Sequence, residues 1–296
     1  MTDASGRRPP GTAGEVSADE LANADRATVA GFGEEWSRFD NAALTAGERD
    51  TIFNQYFAIF PWADLPAGAE GFDAGCGSGR WAAVVAGRVG RLHCVDASDA
   101  ALAVARRQLA GASNCVFHRA SVSDLPLAPA SQDFGYSLGV LHHVPDPSSA
   151  LGACVEVLRP GAPLLVYIYY RFDNRPPWFR AMWRASDLAR RAVSRLPGRV
   201  RFATSDVVAA VVYWPLARTA RLLERVGVDV DGLPLSFYRD RTFYVMRNDA
   251  LDRLGTRLEH RFTQEEIRRM MEAAGLERVS FSPEPPYWCA VGRKRG

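Results

Sequence analysis

The sequence predicts an α/β protein: a doubly wound sheet of seven strands with a mostly helical insert after the fifth strand. Three observations carry this. Between Gly71 and Tyr170, short apolar runs alternate with amphipathic ones at the spacing of βαβ units. The chain closes on a capped helix followed by two further apolar runs. Between the fifth strand and that helix lie roughly ninety residues that no minimal sheet of this kind needs.

Taken in order, residues 1–18 are polar and rich in Gly, Pro and Ala, without an apolar h-region, and read as a disordered leader. Residues 19–68 form an N-terminal helical cap, with Phe32, Trp36 and Phe39, then Ile52, Phe53, Tyr56, Phe57 and Phe60 at helical spacing before Pro61 stops the run. Residues 69–170 are the core, in which GFDAG, RLHCVDAS, CVFHRAS, QDFGYSLGV and PLLVYIYY are strands, with helices expected near 79–87, 99–110 and 146–158. Residues 171–258 are the insert, expected to act as a substrate lid. Residues 259–296 close the core. There Thr263 and Glu266 spell a capping box, Ile267, Met270, Met271 and Ala274 an apolar stripe, and Gly275 a helix stop. Strands are then expected at 276–282 and 287–293, joined by SPEPP.

Composition excludes several classes. With 296 residues, 47% of them hydrophobic, and 36 basic against 34 acidic side chains, the chain is no disordered or collagen-like polymer. A net charge of +2 gives no argument for nucleic acid. Five cysteines without a CxxC pair indicate neither a zinc site nor a disulfide framework, so no metal is expected. No window reaches the length of a membrane span, and a reduced cytoplasm is the expected compartment.

The sharpest motif is GFDAGCGSGRW at the first strand-to-helix junction. A dinucleotide fingerprint places its third glycine five residues after the first, whereas Gly79 falls four after Gly75. Glycines here let backbone approach a ligand closely. Asp73, two residues before Gly75, is wrong for cradling a pyrophosphate and suits a ligand bearing an ammonium group. The second strand ends in Asp96, whose carboxylate can accept both hydroxyl protons of a ribose diol. Helix capping is the competing role for that end of the strand, and Ser98 is also suited to it. The segments SDLPL and DFGYSLGVLHHVPDP end the next two strands, so all these pieces converge on one crevice at the carboxyl ends of the sheet.

Together GFDAGCGSGRW, CVDAS, SDLPL, DFGYSLGVLHHVPDP and LRPGAPLLVY resemble the class I S-adenosylmethionine-dependent methyltransferases, and among them the small-molecule enzymes related to ubiquinone- and sugar-modifying methyltransferases. The resemblance covers 69–170 strongly and 259–293 more loosely. It implies a Rossmann-like sheet whose last strand is antiparallel, and S-adenosyl-L-methionine as cofactor. It places Gly75, Cys76, Gly77 and Gly79 under the methionine part, Asp73 at its amino group, and Asp96 with Ala97 at the ribose. Ser121 stands where relatives often have an Asp that contacts adenine, with the Val122 backbone as the remaining contact. Leu138 and Gly139 would line the methionine side.

The acceptor is expected to be a small molecule or glycan, with O-methylation favoured. His142 is the preferred general base and His143 the second candidate, since histidine titrates near neutrality. Adjacent histidines are expected to point apart, and a structural imidazole bonded to backbone is the competing role. C- or N-methylation of a quinone-like metabolite, or a catalytically silent cofactor-binding subunit, are the alternatives. No acid ends the fifth strand, which closes on Tyr167, Ile168, Tyr169 and Tyr170. In the insert, Trp178, Phe179, Met182, Trp183, Leu188 and Val193 would line one side of a helix with arginines elsewhere. This pattern suits an anionic substrate, or peripheral contact with an anionic membrane at the inner face.

Overall fold

The computed structural model describes residues 21–39 and 46–296, so the expected leader at 1–18 lies outside the described residues. Seven strands form one sheet in the order β3-β2-β1-β4-β5-β7-β6. They are β1 Glu70–Ala74, β2 Arg91–Asp96, β3 Cys115–Arg119, β4 Phe134–Leu138, β5 Pro163–Tyr167, β6 Leu276–Phe281 and β7 Cys289–Lys294. The first five are parallel, and β7 runs antiparallel to both β5 and β6. The winding reverses between β1 and β4, which opens the crevice of a doubly wound sheet at their carboxyl ends.

Register at that junction follows from side-chain volume. Gly71 pairs with Phe134 and Phe72 with Gly135. A Cβ on Gly71 would lie 2.3 Å from the Phe134 ring, and one on Gly135 2.2 Å from Phe72. Each ring thus fills the space its partner leaves, and a one-residue slip would set the two rings against each other.

Helices cover both faces. On one, α5 (Pro147–Val157) and α10 (Gln264–Ala273) bury Leu151, Cys154, Ile267 and Met271. On the other, α2 (Ala46–Tyr56), α3 (Ala82–Val85) and α4 (Asp99–Gln108) bury Ile52, Phe53, Val85 and Leu102. The expected capping box of α10 is present, and Gly275 adopts φ +97° just past its end. The helix expected at 79–87 is reduced to α3 and a 3-10 turn at 86–88, because the glycine turn itself runs on to Arg80. The last strand starts at Cys289, two residues later than expected, since the proline turn extends to Trp288.

The insert contributes α6 (Pro177–Val193), α7 (Gly198–Val208), α8 (Trp214–Arg225) and α9 (Phe243–Gly255). Helix α9 packs on α6, α7 and α1 (Arg26–Arg38), while α1 also packs on α4, so α1 and α9 close over the crevice. Arg201 pairs with Glu34 at 2.6 Å, and Asp206 with both Arg38 and Arg247. The apolar residues of α6 share roughly one side as expected, but that side is not buried as core: Trp178, Met182 and Leu188 are exposed, and Phe179, Trp183 and Val193 are half-buried. The buried positions are Asp187 and Arg190. Arg190 tolerates burial because Asp187, at 2.7 Å from its Nε, and the Thr256 and Arg257 carbonyls, which accept from Nη1, partner its guanidinium. No helix among the described residues is long and apolar enough to cross a membrane.

Candidate functional site

The glycine turn after β1 holds Gly75, Gly77 and Gly79 at φ +83°, +54° and +80°. A Cβ on Gly75 would meet Val140 at 2.4 Å, and one on Gly77 would meet the Trp36 indole of α1 at 2.9 Å. The Val95 carbonyl accepts the N–H groups of Gly75 and Cys76, tying the turn to β2. At the tip of β2, Asp96 accepts from the Gly77 N–H at 2.9 Å and the Ser98 N–H at 2.8 Å. Helix α4 is capped by Ser98, whose hydroxyl accepts from Ala101. That frees Asp96 from capping and leaves lone pairs on both of its oxygens for a ligand.

Asp73 is 1% exposed, and its Oδ2 has no hydrogen-bond partner. Burial pushes its carboxyl up to about 8, with the Tyr136 hydroxyl pulling it down. An unpartnered carboxyl at this depth is costly, and a cation beside it would relieve that cost. The amino-acid end of S-adenosylmethionine provides such a cation, so Asp73 and the close-approach glycines fit that cofactor. Arg80, next along the turn, lies 4.0 Å over the Trp81 ring and makes no salt bridge among the described residues. Trp81 itself is core, packed on Phe53 and Tyr56.

Beyond β3, Ser121 is buried and its hydroxyl accepts the Ser123 N–H at 3.1 Å, while the Val122 side chain joins the core. Cys76 and Leu138 are buried, and Ala97 is half-buried beside Asp96. Asn23 closes this side: its amide donates to Ser123 Oγ at 2.8 Å and accepts from the Asp146 N–H.

At the ends of β4 and β5, both candidate histidines are buried. They do not point apart as expected. Residues Leu141–His143 form a 3-10 turn, which brings the two rings to 4.0 Å, whereas an extended strand would separate them. His142 stacks on Tyr169 at 3.8 Å, and its Nδ1 accepts from the Tyr169 N–H at 3.4 Å. His143 donates from Nδ1 to the Leu258 carbonyl at 2.7 Å. Burial lowers both, His143 to about 4.

The acid missing from the end of β5 arrives from the insert. The Tyr169 hydroxyl donates to Asp252 of α9. Asp249, one turn earlier, is raised to about 6 by burial and by Asp252, and Asp252 likewise to about 6. Glu35 of α1, 4% exposed, is raised well above its ordinary value by burial and by the same two aspartates. Tyr56, Tyr167, Tyr169 and Tyr238 are pushed up by burial and by charges that include Asp249 or Asp252, and Arg80 pulls Glu35 and Asp249 down. Acids, tyrosines and Arg80 therefore lie within electrostatic reach of one another next to the glycine turn, as the wall of a proposed acceptor chamber. Sequence reasoning missed Glu35, Arg80, Asp249 and Asp252. The available signal was Asn248-Asp249 and Asp252 interrupting a helix otherwise rich in apolar residues.

A Rossmann-like sheet with this glycine turn and two strand-tip aspartates defines a nucleoside-cofactor enzyme of the methyltransferase type. The family model described as "Methyltransferase domain" matches residues 72–166. The "Ubiquinone biosynthesis O-methyltransferase" of Pseudomonas savastanoi pv. phaseolicola is 30% identical over 166 residues, covering 53% of this chain and 67% of that protein. The enzyme of the same name from Thiobacillus denitrificans is 31% identical over 164 residues, covering 52% and 66%. An O-methyltransferase family protein from Burkholderia thailandensis shares the fold, with a TM-score of 0.51 at 13% identity over 90% of this chain and 59% of its own. The chain belongs to the class I S-adenosylmethionine-dependent methyltransferases, and it is an enzyme that uses S-adenosyl-L-methionine.

Proposed function

We propose that the chain transfers a methyl group to an oxygen of a small-molecule acceptor bound between the glycine turn and α9. The observation that carries this reading is the buried Asp73 carboxyl, its Oδ2 without a partner, beside a turn whose backbone is tied to Asp96. Bound there, S-adenosylmethionine supplies a methyl already activated on a sulfonium. The protein's part is alignment, exclusion of water and the handling of one proton.

Asp73 holds the ammonium of the cofactor and Arg80 its carboxylate. Asp96, with Ala97 beside it, holds the ribose diol. The backbone of Gly75, Cys76, Gly77 and Gly79 lies under the methionine chain, Leu138 lines it, and Ser121 with the Val122 backbone takes the adenine edge. Residues 171–258 serve as lid, because α9 carries Asp249 and Asp252 to the chamber. Oxygen as the acceptor atom is supported by the names of the two relatives and by half-buried acids raised to about 6, towards the range a general base needs.

The proton of the acceptor hydroxyl goes to the Asp249–Asp252 pair. The lone pair of His142 Nδ1 is directed at the Tyr169 N–H, so its neutral ring carries hydrogen on Nε2 and acts as a donor. His143, protonated on Nδ1 by its bond to Leu258, keeps a lone pair on Nε2 as the second acceptor in this wall. The test is transfer of labelled methyl to a panel of phenolic, sugar and amine acceptors, with calorimetry of S-adenosylhomocysteine and NADH alongside. Binding of NADH in place of S-adenosylhomocysteine would overturn the site. Methylation of amines alone would overturn the choice of oxygen.

A further inference from the structure

A second cavity, of about 330 Å³, lies away from the glycine turn, between α6 and the segment entering α10. Its size is at the lower end of the range for small-ligand pockets, roughly 300–1,000 Å³. Six arginines line it against three acids. The acids are already engaged. Asp187 pairs with Arg190 and Arg191, Glu259 with Arg261 and Arg253, and Asp173 accepts from the Gln264 N–H and the Trp288 indole. Arg171 is held by Glu266 and by the Arg261 carbonyl.

Arg180 and Arg184 remain. They stand one turn apart on α6, and neither has an ion pair or a side-chain hydrogen bond among the described residues. Like charges at this spacing weaken a helix, a cost that an anion between them would reverse. Between them in sequence, Trp183 contributes an indole Nε1 that is buried without an acceptor. An indole nitrogen can only donate, so a buried one calls for an acceptor. A buried donor without an acceptor, two solvent-facing arginines outside any ion pair among the described residues, and a surplus of positive charge therefore meet in one cavity.

We propose that this cavity binds a phosphate-type oxyanion, held by Arg180, Arg184 and the Trp183 indole. Guanidinium groups match the paired oxygens of phosphate, which suits a fork of two arginines better than a single point charge would. Arg261 links the cavity to the acceptor chamber: its guanidinium lies 5.0 Å over the Trp183 ring and 4.9 Å over Tyr169, the ring that stacks on His142. The oxyanion has two sources in this setting, a phosphorylated acceptor and an anionic lipid headgroup. Trp178, Met182 and Leu188, exposed on the same helix, are the apolar flank that a lipid surface would use.

The experiment titrates the full chain at low ionic strength with inorganic phosphate and pyrophosphate. In parallel it is sedimented with phosphatidylcholine vesicles with and without phosphatidylglycerol. Binding of pyrophosphate or of the anionic vesicles is expected, weakening with salt. The double variant R180A/R184A should lose about tenfold or more in affinity, and W183F severalfold, as charge-assisted and neutral donors are removed. Affinity for S-adenosylhomocysteine, unchanged in both variants, reports an intact fold independently of the cavity. Pyrophosphate binding alone identifies a soluble phosphorylated ligand, and vesicle binding alone a headgroup. No binding of either by the wild type, or equal binding by R180A/R184A, overturns the proposal.

Discussion

Asp249→Asn separates the chemistry of the chamber from its packing. Burial and the neighbouring Asp252 lift the Asp249 carboxyl from 3.8 to about 6. A carboxyl raised on folding binds its proton more tightly in the folded chain than in the unfolded one. Its ionisation therefore costs nothing below about pH 4, costs more as pH rises towards 6, and imposes its full cost above that. About two units at roughly 1.4 kcal/mol each gives about 3 kcal/mol, and relaxation around the charge reduces that to about 1–3 kcal/mol. Asparagine keeps the shape and removes the ionisation. Asp249→Asn should therefore stabilise the chain by about 1–3 kcal/mol at about pH 8, raising Tm by roughly 3–9 °C, with no gain near pH 4. The same variant should lower kcat by about 10² or more while S-adenosylhomocysteine binds as before. Calorimetric melting at the two pH values, beside steady-state turnover, measures both. Equal shifts of Tm at both pH values would refute the ionisation argument, and undiminished turnover would refute the proton assignment.

Asp96→Ala removes the acceptor of the Gly77 and Ser98 N–H groups as well as the proposed ribose contact, and should weaken S-adenosylhomocysteine by about 1.5–3 kcal/mol in calorimetry; unchanged affinity removes Asp96 from the site. Gly77→Val places a side chain at φ +54° against the Trp36 indole, so cofactor binding should vanish and stability fall by about 1–2 kcal/mol, whereas normal binding would mean the turn is not the cofactor seat. Asp206→Asn weakens the pair with Arg38 that joins the proposed lid to α1 and the pair with Arg247 inside the lid, and should raise KM for the acceptor more than it changes cofactor affinity; an equal effect on both would argue against a separate lid.

What the sequence made legible was local. The glycine turn, the Asp96 strand tip, the Ser98 cap and the Thr263–Glu266 box each depend on residues within a few positions of one another, and the structure forms them as read. The histidine pair was misread because the rule that neighbours diverge belongs to extended chain, and Leu141–His143 is a turn. The burial of Arg190 on α6 was not legible because hydrophobicity alone places an arginine in solvent, while an acid three residues earlier and the Thr256 and Arg257 carbonyls let it be buried. The acids of the chamber were invisible for a different reason. Glu35 lies some two hundred residues from Asp249 and Asp252, and only the packing of α1 on α9 turns three ordinary helical acids into a cluster with raised pKa values.

That arrangement divides the enzyme's labour along the chain. The cofactor seat is built almost wholly from the strand ends of the core, where the family match also lies, at residues 72–166. The groups proposed to face the acceptor come instead from α1 and the insert, outside that match. The ion pairs Glu34–Arg201 and Arg38–Asp206 bind these two pieces to each other, while Trp36 of α1 lies close to the turn at Gly77. Because the proposed cofactor seat rests on the strand ends of the core, substitutions in the insert should change acceptor binding before cofactor affinity. On the proposed function, the core keeps one chemistry while the insert sets the acceptor, provided that α1 still joins both halves.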